Sequence, residues 1–189
     1  MLNEKNVTTR KRFVPLIIAL IGTIMMVAAI FLPYATATET HAEALKKYQD
    51  EVIYKDFDMS AKDIMNISMV EYAVVYSNLS EQFWGDSAPG MIYVAFVVLI
   101  GGGSLFAVLF TVLKKPIAAL IFDVLAFGVF ALQNWDYAER GVIPSSSYDW
   151  GAAYYIFYIA VGMAFAGSVW MLATKIQANR QSKAAERIL

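Results

Sequence analysis

One acidic residue lies inside an otherwise apolar stretch: Asp123, in Ile121-Phe122-Asp123-Val124-Leu125. It stands eight residues beyond Lys115, which is ~12 Å along a helix. A charged, unpaired carboxyl at that depth of a bilayer costs several kcal/mol. An acid there is expected to face the interior of a helix bundle and marks a candidate site for a proton or a cation. Ser104 is ten residues from Lys114, Ser168 seven from Lys175 and Thr23 eleven from Arg12, all ~10–17 Å from a basic anchor by helical rise. Asp123, Ser104, Ser168 and Thr23 are therefore expected to share one intramembrane polar layer. Two chemistries fit such a layer. One is a proton- or cation-binding site in a small transporter or channel component. The other is a protonated acid hydrogen-bonded to a hydroxyl that ties two helices together. The second is favoured, because no further ionisable group stands beside Asp123 to form a relay.

Other chemistry is excluded more directly. The chain has no cysteine, so disulfides, thiolate metal sites and thiol redox chemistry are absent. No nucleophile is paired with a base, and there is no HExxH, phosphate loop or CxxC. An aspartyl intramembrane enzyme needs a second acid that Asp123 lacks. Asp56, Asp58 and Asp63 do not follow the ligand spacing of a calcium loop, and His41 is the lone histidine, in a charged stretch. No basic stripe with interleaved aromatics suggests nucleic acid. The expectation is a protein that is not an enzyme and holds no metal or cofactor.

The elements that must carry Asp123 follow from the distribution of apolar residues. They make up 59% of the 189 residues, against 16% charged, far from the roughly 25% charged of a soluble domain. They gather in four blocks. The sequence predicts an all-α membrane protein, a four-transmembrane-helix bundle with a helical extracytoplasmic cap between helices 1 and 2. The expected map is 1–12 cytoplasmic, 13–34 the first span, 35–90 extracytoplasmic, 91–113 the second span, 114–115 a cytoplasmic turn, 116–133 the third span, 134–150 an outer loop, 151–174 the fourth span and 175–189 a cytoplasmic tail. About 20 residues cross a hydrocarbon core of ~30 Å, and only helices satisfy their backbone there.

Arg10-Lys11-Arg12, Lys114-Lys115 and Lys175 abut the blocks on one side, and the positive-inside rule turns that side and both termini to the cytoplasm of a cell membrane. Trp84, Trp135 and Trp150 lie near the outer ends, where aromatic belts form. Ala35-Thr36-Ala37 resembles a signal-peptidase site, but the preceding apolar run exceeds the about 7–15 residues of a signal peptide. Retention of the first helix is expected. The cysteine-free outer loop leans towards a bacterial source.

Within the outer segment, Ser60 with Asp63 and Ser68 with Glu71 have capping-box spacing, and the second predicts a helix over 69–78. Met65, Met69, Val70, Tyr72, Tyr76 and Trp84 make this stretch too apolar to be wetted all round. They are expected to cover the tops of the spans or to face a partner, either another membrane protein or a second copy. Within the spans, Gly101, Gly102 and Gly103, together with Ala160, Gly162, Ala164 and Ala166, are small residues expected to bring helices close.

Four spans, internal termini and a large first outer loop resemble the layout of claudins and tetraspanins, but the Trp-Gly-Leu-Trp and cysteine motifs of those families are missing around Trp84-Gly85. Phe31-Leu32-Pro33-Tyr34 at the exit of helix 1, and Ile67-Ser68-Met69-Val70-Glu71-Tyr72 in the loop, resemble a group of small bacterial four-span membrane proteins. That resemblance implies the fold and no activity. The function expected is that of an integral membrane accessory or interaction protein, acting through its cap or its helix contacts, with the bilayer as its surroundings.

Overall fold

The computed structural model describes residues 2–54, 58–85 and 88–186, with side chains over 13–54, 58–80, 85 and 90–183. The chain is mostly helical. Six helices appear among the described residues: α1 Leu2–Ala29, α2 Glu39–Lys46, α3 Met69–Trp84, α4 Ala88–Val112, α5 Pro116–Glu139 and α6 Ala152–Glu186. Three of them, α4, α5 and α6, are long and apolar enough to cross a membrane. α1 packs along α6 and α4, α4 along α5, and α5 along α6.

The packing is inverted relative to a water-soluble protein. On α5 the buried residues recur every three or four positions, as Pro116, Ala119, Asp123, Ala126, Phe130, Gln133, Asn134 and Tyr137. Four of those eight are polar or ionisable. The opposite face exposes Ile117, Ile121, Val124, Leu125 and Leu132. Leu99, Leu105, Phe106 and Leu109 do the same on α4, and Ile159, Phe165 and Val169 on α6. Exposed apolar area this extensive requires an apolar surrounding.

Close backbone contacts fix the seams. A Cβ on Gly22 would collide with the backbone of Ala160 and Ala164, and one on Gly167 with the backbone of Ala19. Across the α4–α5 seam, a Cβ on Gly103 would lie 3.2 Å from the Cβ of Ala126. Small residues let two helices meet where lipid supplies no hydrophobic drive of its own. Gly103, Ala160 and Ala164 lie at these close approaches, and a Cβ on Gly101 would lie 3.4 Å from Ile30. The expected close contacts are not made at Gly102 and Gly162, which have open space around them, or at Ala166, which is exposed. All three point away from the neighbouring helices. Gly22 and Gly167, which carry the α1–α6 seam, stand apart in sequence and form no run.

The first block ends earlier than its apolar length suggests. Helix α1 stops at Ala29, and Pro33–Ala37 is strand β1. Pro33 has no N–H to continue a helix and disfavours helical backbone at Leu32. The chain is caught at once between β4 (Asn66–Ser68) and β5 (Tyr148–Trp150), antiparallel to both, with Ala35 opposite Ile67 on one side and Trp150 on the other. A second pair joins β2 (Val52–Tyr54) to β3 (Met59–Ser60). The segment between α1 and α4 is therefore mixed, where an all-helical one was expected. Pairings more than a hundred residues apart leave no local pattern. Residues Ala35, Thr36 and Ala37 of the candidate cleavage sequence form the middle strand of the sheet.

Both capping boxes form. The Ser60 N–H and Oγ–H donate to Asp63 Oδ2 at 2.9 and 2.6 Å, opening a 3-10 turn at Asp63–Met65. The Ser68 N–H donates to Glu71 Oε2 at 2.9 Å, and the Glu71 N–H to Ser68 Oγ at 3.3 Å. Helix α3 follows and runs on to Trp84. It lies against α4 and β1. Met59, Ile64, Ile67 and Val75 form a small satellite core beneath it.

Candidate functional site

Asp123, Ser104, Ser168 and Thr23 are all fully buried within the helices, as the depth argument requires. They are not one hydrogen-bonded layer. Gly103 against Ala126 and Ile30 against Gly101 set the antiparallel registers. By helical rise these place Ser104 about half a turn nearer the sheet than Asp123 and Thr23 about half a turn further from it, and the seam of Gly22 and Gly167 puts Ser168 more than one turn nearer Lys114 than Thr23. Thr23 Oγ1 donates to its own helix at Leu20 O (3.1 Å), and Ser104 Oγ to Ile100 O (2.7 Å). Ser168 Oγ and both carboxyl oxygens of Asp123 have no partner among the described residues. The expected acid–hydroxyl bond between helices is absent. A hydroxyl within a helix reaches the carbonyl of its preceding turn at little cost, so these side chains are already engaged.

Ten residues further along α5, ~15 Å by rise, a second polar region begins. The hydroxyl of Tyr34, fully buried, donates to Asn134 Oδ1 at 2.6 Å. The rings of Tyr72, Phe130, Tyr137 and Trp150 enclose it, with centroids 5.6–6.4 Å away. Arg140 pairs with Asp136 at 2.6 Å, one turn back on α5 and its extension. Its guanidinium also donates to the Tyr76 hydroxyl at 3.0 Å and to that of Tyr93, and lies over both rings at 5.8 and 5.2 Å. Tyr93 in turn donates to Asp136. One cation therefore links α3, α4 and α5. Gln133 Oε1, Asn134 Nδ2 and Tyr137 Oη remain without partners among the described residues. Between the two polar regions, Phe130 and Phe157 stack at 4.1 Å and form an apolar layer.

No family model, curated protein or solved structure matches this chain.

The residues expected to face a partner are mostly consumed by this junction. Met69 is fully buried; Val70, Tyr72 and Tyr76 pack on the main core, and Met65 is half-buried. The Trp84 side chain lies outside the described residues. The apolar face of α3 found its cover within the chain, so it is not a free surface. Burial pushes the Tyr72 hydroxyl well above its ordinary range. Between α2 and α3 the exposed large apolar side chains among the described residues are Tyr48 (56%), Val52 (43%) and Ile53 (44%). Ala42, Leu45, Tyr48 and Val52 stand at roughly helical spacing in the sequence and read as one helix over Glu39 to Val52, but α2 ends at Lys46 and Val52 lies in β2. The run Val52-Ile53-Tyr54, β-branched and aromatic, was the available signal. Among the described residues no cluster of His, Asp or Glu could hold a metal ion.

Proposed function

We propose that the protein is a non-enzymatic accessory or interaction protein of the cell membrane, crossing it four times with both termini in the cytoplasm. Its working surface is the segment between α1 and α4, turned outward. The observation that carries this reading is the exposed set Tyr48, Val52 and Ile53, left open while α3 is used up as the anchor of its segment. The fourth crossing, by α1, is supported by two facts. Gly22 and Ala19 sit directly on α6, and Phe13, Ile17, Ile21 and Ile24 form an exposed stripe on the other side that lipid would cover. The orientation is supported by Lys114, Lys115 and Lys175 at the end opposite the sheet.

The test is association in mild detergent of the full chain against a form lacking residues 39–62, which keeps β1, β4 and α3. Loss of partners from the shortened form is expected; unchanged association would reject the reading. A second reading rests on a separate observation, the unpartnered carboxyl of Asp123. A proton or a cation bound there would remove the cost of an isolated buried charge, as in a small transporter or channel component. Proton and cation flux in proteoliposomes tests it. Flux lost in a folded Asp123→Asn variant supports transport, and the absence of flux in the unaltered protein excludes it.

A further inference from the structure

The strand pair β2–β3 is an unfinished sheet. β3 covers one edge of β2, and among the described residues no strand lies on the other. Successive residues of a strand point to opposite faces, and Val52 and Ile53 are both more than two-fifths exposed, so both faces are open at the start of β2, while Tyr54 packs on the satellite core at its end. Two strands alone are marginal in water; this pair is extended by the Ala61 N–H on Glu51 O at 2.9 Å and the Lys62 N–H on Gln49 O at 3.1 Å, and is tied to the satellite core through Met59 and Tyr54. Folded proteins limit such an edge by keeping the strand short or by a charge or proline on it. Val52-Ile53-Tyr54 is short and is followed by Lys55, but carries no charge or proline itself, and Tyr48 adds a further exposed ring just before it.

We infer that the open edge of β2 receives an extended, basic segment of a partner protein, which adds to the β2–β3 pair as a third strand. This rests on the interaction reading above and names the chemistry of the partner. Main-chain hydrogen bonds supply affinity in strand addition, and alternate side chains supply selectivity. Apolar residues at alternate positions would cover Val52 and Ile53. Charge selects the rest: residues 38–63 hold seven acids against four lysines, and Asp50 and Glu51 immediately precede the strand. A second copy of this chain brings the same acids and is disfavoured at the same edge, as is an anionic lipid surface.

The experiment uses the full chain in phosphatidylcholine nanodiscs. Three labelled ten-residue peptides are compared: alternating Lys and Val, alternating Glu and Val, and the Lys–Val peptide with a central proline. The Lys–Val peptide is expected to bind at least about tenfold more tightly than the Glu–Val one, weakening as salt is raised. The proline form should lose binding, and the Ile53 amide should become protected from hydrogen exchange in the complex. An Asp50→Lys/Glu51→Lys variant should reverse the preference between the charged peptides without moving the unfolding midpoint, and Ile53→Pro should abolish binding. Equal binding of both charged peptides, indifference to proline, or no binding would overturn the proposal. So would concentration-dependent dimers broken by Ile53→Lys, which would give the edge to a second copy. If the peptides fail while removal of residues 39–62 still releases partners, strand addition is wrong and the interaction reading stands. If partners are also retained, both fall.

Discussion

The two polar regions of this protein, one buried and one running from the buried Tyr34 to the partly exposed Arg140, satisfy their polar groups differently. Near the sheet, Tyr34, Asn134, Asp136, Arg140, Tyr76 and Tyr93 bond across three helices and a strand. In the inner region, the hydroxyls of Thr23 and Ser104 bond only to their own helices, and Ser168 and Asp123 bond to nothing described. A polar group left unpartnered in an apolar interior costs about 1–3 kcal/mol. Both regions hold unpartnered buried atoms, Gln133 Oε1, Asn134 Nδ2 and Tyr137 Oη in the outer one and Asp123 and Ser168 in the inner one, but only the outer one offsets that cost with bonds between elements. The contrast teaches that burial alone says little about what a polar residue does. The partner set decides, and it differs here over about three turns of one helix.

Four experiments would break or sharpen that contrast. The largest effect is expected at the backbone of the outer region. Gly151 donates its N–H to Tyr34 O at 2.8 Å, and a Cβ there would collide with the Pro33 carbonyl. Gly151→Ala should destabilise by about 3 kcal/mol, read as a shifted unfolding midpoint in mild detergent. A shift below about 0.5 kcal/mol would mean that the strand junction does not hold the outer region together. Next, Tyr34→Phe should cost about 2 kcal/mol, because Asn134 Oδ1 loses its donor while the ring contacts remain. Asp123→Ala carries the opposite sign: it removes two unpartnered oxygens and should stabilise by about 1 kcal/mol. Equal losses in the two variants would show that the inner acid is as well served as the outer hydroxyl, and the contrast would fail.

The smallest effect concerns the outermost layer. Tyr148 donates to Ile64 O at 3.0 Å, and burial, with Tyr54 adding to it, pushes its hydroxyl up to about 12. The unfolded chain releases that proton near 10. The folded state holds it more tightly, so this contribution to stability is complete below pH ~10 and is lost as pH rises through about 12. Unfolding midpoints measured across that window, with tyrosinate absorbance followed in parallel, should show a decline that Tyr148→Phe reduces. A decline identical in the variant would assign the loss to other groups.

The junction also shows what a local pattern can and cannot report. Ser60 with Asp63 and Ser68 with Glu71 were readable because a capping box is complete within four residues. Helices α4, α5 and α6 were readable because an apolar run of membrane length needs no distant partner to be recognised. Strand β1 was not, since its hydrogen bonds come from Asn66–Ser68 and Tyr148–Trp150. The same holds for Met69, Tyr72 and Tyr76. Their apolar character was visible, while their burial against the helices, away from any partner, depended on where α3 docks.

By itself the sequence determined that the chain has helices of membrane length, that α3 begins after Ser68, and that Asp123 would be buried. Each of these follows from residue type, helical rise and the cost of exposing apolar groups or burying polar ones. Only the tertiary structure decided that Asp123 stands without a partner, that Gly22 and Gly167 rather than Gly102 and Gly162 bring helices together, and that the exposed apolar edge lies at Val52 and Ile53. The reason is geometric: a residue's type states what it needs, and which groups are near enough to meet that need depends on registers set between segments far apart in the chain.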